Sequence, residues 1–386
     1  MKMKLGNVCK FIGGGTPSKK NPAFYGGIIP WATVRDMNVR VICETEHSIT
    51  PDAVNQSATN IIPKGEIVIS THVGLGKVCF LGQDTAINQD LKAVIPDDRL
   101  SRRYLYYWFI AKSKDLVSNG KGATVKGVTL DFVKSLEIDV PSLKDQDAVS
   151  DTLDGLSHII ELSEEQLERL NLLVKSRFVE MFGNPMANPM RWPIVAMNEV
   201  LEGIGNGRSF VCESSPRIGE NPAILKLGAA TWGEYRPEEN KALKPGDSFS
   251  PDCEVKAGDL LFTRKNTLEL VGKCAYVRAT PPKLMLPDLI FRLETRSCID
   301  KVYLANLINC DRFRGQVKKL ASGSAGSMPN ISKARLMALR IPLPPLALQR
   351  EFAAFVAKVD KLAFAARRRR DLAQQMYRAK IQEFFG

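Results

Sequence analysis

The chain has 386 residues, 44% of them hydrophobic and 25% charged, with 54 Lys and Arg against 42 Asp and Glu for a formal charge of +12. That length suits two or three domains at about 150 residues each, and the composition, with a mean hydropathy of −0.13, excludes a disordered, collagen-like or membrane-embedded chain. An isoelectric point near 9.3 points to a polyanion such as nucleic acid; the alternative is a basic surface without a partner.

At the N-terminus the apolar run Val8–Ile12 is broken by Lys10, too short for a secretory leader. Gly13, Gly14 and Gly15 follow, then Trp31. Residues 66–70 (EIVIS) read as a short strand after a Gly turn, and residues 102–117 (RRYLYYWFIAKSKDLV) as an amphipathic helix. These front elements suit a compact α/β module with Gly- and Pro-rich binding loops. Beyond Pro141 the apolar positions Val149, Leu153, Leu156, Ile160, Leu167, Leu170 and Val174 step by four and three, with Ser163 in the one polar slot. That is a heptad seam, stopped by Gly183 and Asn184-Pro185. Such a helix, ~37 residues and roughly 55 Å long at 1.5 Å per residue, needs a partner helix.

The second half repeats the first. Residues 136–146 (LEIDVPSLKDQ) align without a gap to residues 339–349 (LRIPLPPLALQ), and the same offset of 203 puts Glu180–Gly183 on Glu383–Gly386. Val8, Ile12, Gly13 and Gly15 recur as Val200, Ile204, Gly205 and Gly207 at an offset of 192, and Lys64–Ile67 recurs as Ala257–Leu260 at 193. Trp31 and Trp232 then fall at similar places, where core packing and base stacking are the two readings. The second seam runs Phe352, Val356, Val359, Ala363, Ala366, Arg370, Ala373 and Tyr377. Pairing the two helices antiparallel about a pseudo-two-fold axis would set Glu161, Glu164, Glu165 and Glu168 against Arg367, Arg368, Arg369 and Arg370. Alternatively, both runs are solvated faces.

Chemistry-bearing motifs are incomplete. Asn21-Pro22-Ala23-Phe24 lacks the second proline of a methyltransferase loop, and Pro251-Asp252-Cys253-Glu254-Val255-Lys256 crowds a nuclease's acids together on one segment. Gly74-Leu75-Gly76-Lys77 and Gly203–Gly207 are partial phosphate loops. The eight cysteines form no Cys-x-x-Cys pair, and three histidines are too dispersed for a metal site. A cytoplasmic, metal-free protein is expected.

Ile69–Val78 (ISTHVGLGKV) followed by Ala86-Ile87-Asn88-Gln89, the loop Thr124–Thr129, and the junction Ile341-Pro342-Leu343-Pro344-Pro345-Leu346 with Gln349 together resemble the specificity subunit of type I restriction–modification enzymes. The resemblance covers essentially the whole chain. It implies an α+β protein with two tandem target recognition domains separated by two long helices in an antiparallel, pseudo-two-fold coiled coil. The expected segments are recognition domains at 1–145 and 184–347 and conserved helices at 146–183 and 348–386. It also implies no catalysis and no cofactor bound by this chain. The implied partners are double-stranded DNA, two methyltransferase (modification) subunits that use S-adenosylmethionine, and restriction (translocase) subunits recruited through them, with no membrane. Each recognition domain would read one half of a split site, the halves about one helical turn (~10 bp, 34 Å) apart. In the second copy, Thr263–Thr267 replaces the Gly-x-Gly-Lys loop and Ser327–Ser332 the Thr-x-Lys-Gly loop, as two halves reading different sequences would require.

Bases and phosphates are met by Lys, Arg, Asn, Gln, Ser and Thr. The candidates are Lys19, Lys20, Arg35, Thr71, His72, Lys77, Lys121 and Lys126 in the first half, and Arg208, Arg217, Arg236, Arg264, Lys265, Asn266 and Lys273 in the second. The rival readings are a stand-alone DNA-binding regulator that uses its helices to dimerise, and a nuclease or methyltransferase with a disguised site.

Overall fold

In the computed structural model, which describes residues 1–120, 127–244, 246–322 and 328–386, the chain divides into two compact units. One comprises Met1–Glu164 with Arg367–Gly386, the other Glu165–Ala366. Each unit is a mixed α+β body with two main sheets, one of which is built around a buried inner strand that packs against the other.

In the first unit that strand is Ile67–Ser70, buried at all four positions. It lies between Leu91–Pro96 and Val78–Leu81 in a five-stranded sheet ordered Cys9–Gly13, Leu91–Pro96, Ile67–Ser70, Val78–Leu81, Val41–Ile42. Its side chains alternate, as a strand's must. Ile67 and Ile69 pack with Tyr104, Leu105 and Phe109 of the helix Arg102–Ser118, while Val68 packs with Ala32, Ile62 and Ile87 of a second, four-stranded sheet. Covering on both faces explains a continuous apolar run in place of polar alternation. The second unit does the same with Leu260–Thr263. Leu260 and Phe262 meet Tyr303, Leu304 and Leu307 of the helix Lys301–Asn309, and Leu261 meets Ala223, Leu225 and Leu286.

Strand register corrects the repeat alignment by one residue. Val8 and Val200 are true counterparts, since the carbonyl of Val8 accepts from Asp97 N–H and that of Val200 from Arg296 N–H. Beyond them the second unit carries an irregularity between Leu201 and Gly203, so Glu202 is an extra residue, a bulge of the usual two-against-one kind. Phe11 opposite Val94 then matches Ile204 opposite Leu293. Gly14, not Gly15, matches Gly207. A Cβ on either would lie within 2.4 Å of backbone carbonyl oxygens, those of Ile87 and Asn88 or of Leu286 and Pro287, so neither site admits another residue.

The long helices run Leu143–Phe182 and Leu346–Phe385, 40 residues each. Each contributes one half to each unit, and within both units the halves run antiparallel. In the first, Val149 and Leu153 share a core with Tyr377, Ile381, Phe384 and Phe385. In the second, Phe178 and Phe182 pack edge-on to Phe352, with ring centroids 5.5 Å apart in both pairs, and Leu167, Leu170 and Val174 surround Val359 and Ala363. Leu156, Val356, Ala366 and Ala373 are buried, whereas Ile160 is half-buried. Ser163, the polar slot, is fully buried; its hydroxyl donates to Ile159 O at 2.6 Å and accepts from Arg369 Nε at 3.1 Å. Glu165 pairs with Arg169 along its own helix, and Arg370 with Asp371.

One residue fixes the start of each helix. Gln146 is buried, accepting Ser101 N–H at 2.7 Å and donating to the carbonyls of Arg99 and Pro141. Gln349 accepts Asp300 N–H at 2.8 Å and donates to Pro344 O at 2.7 Å.

Candidate nucleic-acid interface

The same backbone clamp closes the end of the central strand in both units. Thr71 donates its N–H to Asp90 O at 3.0 Å, and its carbonyl accepts Val128 N–H at 2.9 Å. Arg264 donates to Leu289 O at 3.1 Å and accepts Ile331 N–H at 2.8 Å. One backbone position thus carries a hydroxyl in one unit and a guanidinium in the other. Thr71 is buried, its hydroxyl between His72 Nδ1 and Asp90 O. Arg264 is half-buried, donates Nε to Asn330 Oδ1 at 3.1 Å, and lies 5.0 Å over the ring of Phe291.

Around the clamp each unit joins two loops. In the first, Lys77 donates to Asn38 Oδ1 at 2.7 Å and Val34 O at 3.4 Å. This ties the hairpin loop 71–77 to the turn 33–38, which is shaped by a capping box between Thr33 and Asp36. A Cβ on Gly74 would strike the Val34 side chain at 2.5 Å, so the two loops touch closely. Arg35 stands exposed on that turn, paired with Glu46 at 3.3 Å, and His72 is exposed beside it in sequence to Thr71. In the second unit, Asn266 donates to Thr231 Oγ1 at 3.1 Å, both side chains buried, and ties the loop 264–273 to the turn 228–236. Lys265, Lys273 and Arg236 lie on these two loops, Arg236 paired with Glu234.

The structure thus gathers Arg35, Thr71, His72 and Lys77 in one unit, and Arg236, Arg264, Lys265, Asn266 and Lys273 in the other. Thr71 and Asn266 face inward and hold the loops. Lys19 and Lys20 are exposed on a separate segment. Arg208 is exposed and 4.0 Å from Asp252, and Arg217 is spent on the carbonyls of Asn221 and Pro282. Lys121 and Lys126 lie outside the described residues.

Trp232 departs from its sequence expectation, and Lys92 carried none. Trp31 pairs in register with Ala86, and Ile224 with Met285, so Ile224, not Trp232, is the counterpart of Trp31. Trp31 is buried with its indole N–H on Gly15 O at 3.2 Å. Trp232, beyond the short helix Gly228–Thr231, is 56% exposed with the Arg236 guanidinium 5.7 Å from its ring. Core packing therefore holds for the first alone. Lys92 went unmarked in the sequence because it sits inside the apolar strand LKAVIP. Burial pulls its ammonium below the usual lysine value against the pull of Asp90, and it donates to Gln89 O at 2.6 Å beside the clamp.

Among the described residues no group of three or more His, Cys, Asp and Glu is placed to hold a metal ion, and no helix is long and apolar enough to cross a membrane. The two surfaces offer cations, amides and hydroxyls on rigid loops, a chemistry of recognition.

A family model described as the type I restriction modification DNA specificity domain matches residues 1–172 and 232–372. The type I restriction enzyme MjaIX specificity subunit of Methanocaldococcus jannaschii is 31% identical over 187 residues, 46% of this chain and 43% of that protein. The chain thus spans under half the length of that relative. The MjaVIII specificity subunit of the same organism is 23% identical over 391 residues, covering 96% of this chain and 88% of its own. In fold, the chain is similar to the crystal structure of the S subunit of a type I restriction–modification system from M. genitalium, with a TM-score of 0.64 at 13% identity over 100% of this chain and 96% of that one.

Proposed function

The chain belongs to the type I restriction modification DNA specificity domain family, and on that premise we propose that it is the sequence-reading, non-catalytic subunit of a type I restriction–modification complex. It binds double-stranded DNA in the cytoplasm, one unit to each half of a split site. It docks two modification subunits, which bring S-adenosylmethionine and methylate adenine, and restriction subunits join through them. The length of the two helices sets the unread gap.

The observation that carries this reading is the repeated clamp. Two units hold the same backbone position by the same two hydrogen bonds, yet it carries the inward-turned hydroxyl of Thr71 in one and the half-buried guanidinium of Arg264 in the other. A scaffold kept constant while the side chains on its loops change is what reading two different half-sites requires.

The test is to assemble the chain with a methyltransferase subunit and map methylated adenines across a genome. A bipartite motif with a fixed gap supports the proposal; methylation or cleavage by the isolated chain overturns it. Removing one heptad from each helix takes away about 10 Å, the rise of about 3 base pairs, and should shorten the preferred gap. An unchanged gap would refute the role given to helix length.

A further inference from the structure

A cavity of about 260 Å³ opens in the second unit, walled by Lys175, Phe178, Trp232, Lys273, Asn306 and Arg312 among others. Lys273 is the counterpart of Lys77. Each is the residue before the return strand, and its carbonyl accepts the N–H of Thr263 or of Ser70. Lys77 spends its ammonium on Asn38 and Val34, whereas that of Lys273, though half-buried, makes no hydrogen bond or ion pair among the described residues. Burial first, then Arg314, hold it below the usual lysine value, with Asp311 the opposing influence. Asp311 is itself paired with Lys175 at 3.1 Å. Three cations therefore share the wall with one acid that is already engaged. An ammonium so placed gains most from an anion.

Beside it stands Trp232, 56% exposed with the Arg236 guanidinium over its ring, a flat aromatic of the kind on which bases stack. Asn306 donates its amide to Val302 O at 2.8 Å, and its Oδ1, which has no hydrogen bond among the described residues, is an acceptor for an amino group. The volume lies just below the usual range of ligand pockets, about 300–1,000 Å³, and suits nothing larger than a single nucleotide. We propose that this cleft binds a purine nucleoside monophosphate, the phosphate on Lys273, Lys175 and Arg312 and the base on Trp232. The proposal does not depend on the DNA-reading role.

Titrating the full chain calorimetrically with AMP, inorganic phosphate and duplex DNA tests it. AMP should bind at least tenfold more tightly than phosphate. Trp232→Ala and Lys273→Met should each weaken AMP about fivefold or more, a loss at the low end of base stacking on an aromatic, while Trp232→Phe retains it. Unchanged thermal unfolding would show that the variants are intact. No AMP binding up to about 10 mM, a free energy weaker than roughly −3 kcal/mol, or phosphate binding as tightly as AMP, overturns the proposal. So does duplex DNA that displaces AMP and loses affinity with the same substitutions, because the cleft would then belong to the duplex interface. Loss of the DNA-reading role would show separately, in the methylation map.

Discussion

Arg264 and Thr71 hold equivalent backbone positions, so exchanging the side chain leaves the scaffold's two hydrogen bonds in place. Arg264→Ala should therefore fold normally and relax recognition of one half-site alone, at a cost of about 1–3 kcal/mol if the guanidinium meets a base edge. Methylation mapping checks this: an effect spread evenly over both half-sites would assign Arg264 to phosphate contact. A different kind of arginine is locked inside the first unit. Asp154 accepts from Arg40 and Tyr107 through Oδ1 and from Arg103 through Oδ2, the Arg103 Nε bond being 2.9 Å. Burial opposes its ionisation, but the hydrogen bonds from Tyr107, Arg40 and Arg103 prevail and hold the carboxyl below the usual aspartate value. With the folded pKa depressed, its contribution is fully present above the unfolded value of about 3.9 and is lost as pH falls through the lower folded value. Asp154→Asn should lower the stability of the first unit by about 1–3 kcal/mol at neutral pH. The deficit should shrink as the pH drops below about 4, read as thermal midpoints of both proteins against pH.

At the scale of elements, Gln146 and Gln349 recur because a helix start wedged against a module leaves backbone groups that only a two-faced side chain can satisfy. Gln349→Ala would leave Asp300 N–H and Pro344 O buried and unpaired, costing about 1–3 kcal/mol for each. Gln349→Glu could still accept from Asp300 but could no longer donate to Pro344 when ionised, and should be rescued only at a pH low enough to protonate it. Thermal melts across pH separate the two variants. The junction around Gln349 was legible because its spacing is fixed, with no gap through the helix, and the seam was legible because Leu and Val recur every three and four residues. The Glu202 bulge was not, since one inserted residue in a glycine-rich strand leaves no compositional trace, and it shifted the repeat alignment beyond it. Trp232 was misread for a related reason: sequence places an indole near its homologous segment, but only strand register shows that Ile224 takes the buried slot. In the site, residue types marked Arg264 and Lys265 as candidates for DNA contact, yet could not show that Thr71 and Asn266 turn inward, because a polar side chain's direction depends on the loop it holds.

At the scale of the whole chain, duplication has a structural consequence: the first unit is not a contiguous piece of sequence. The first is completed by Arg367–Gly386, which belongs to the second repeat. There Phe385 is buried, its ring 5.1 Å from that of Tyr104, and its carbonyl accepts from Lys112 at 2.8 Å, while Tyr377 lies 6.4 Å from Tyr107. Ending the chain at Ala366 would strip these aromatics from Leu153, Tyr104 and Tyr107, and losing a single buried Phe costs about 3–5 kcal/mol, a large share of the ~5–15 kcal/mol that holds a domain folded. The second unit keeps its own closure, since Phe352, Val356 and Val359 all precede the cut. Hydrogen exchange on the truncated chain should show protection lost in the helix Arg102–Ser118 and retained in Lys301–Asn309. A peptide of residues 367–386 added in trans should restore it. Equal protection in both helices after truncation would mean that the first unit folds without the borrowed segment; equal loss would mean that the second depends on the first.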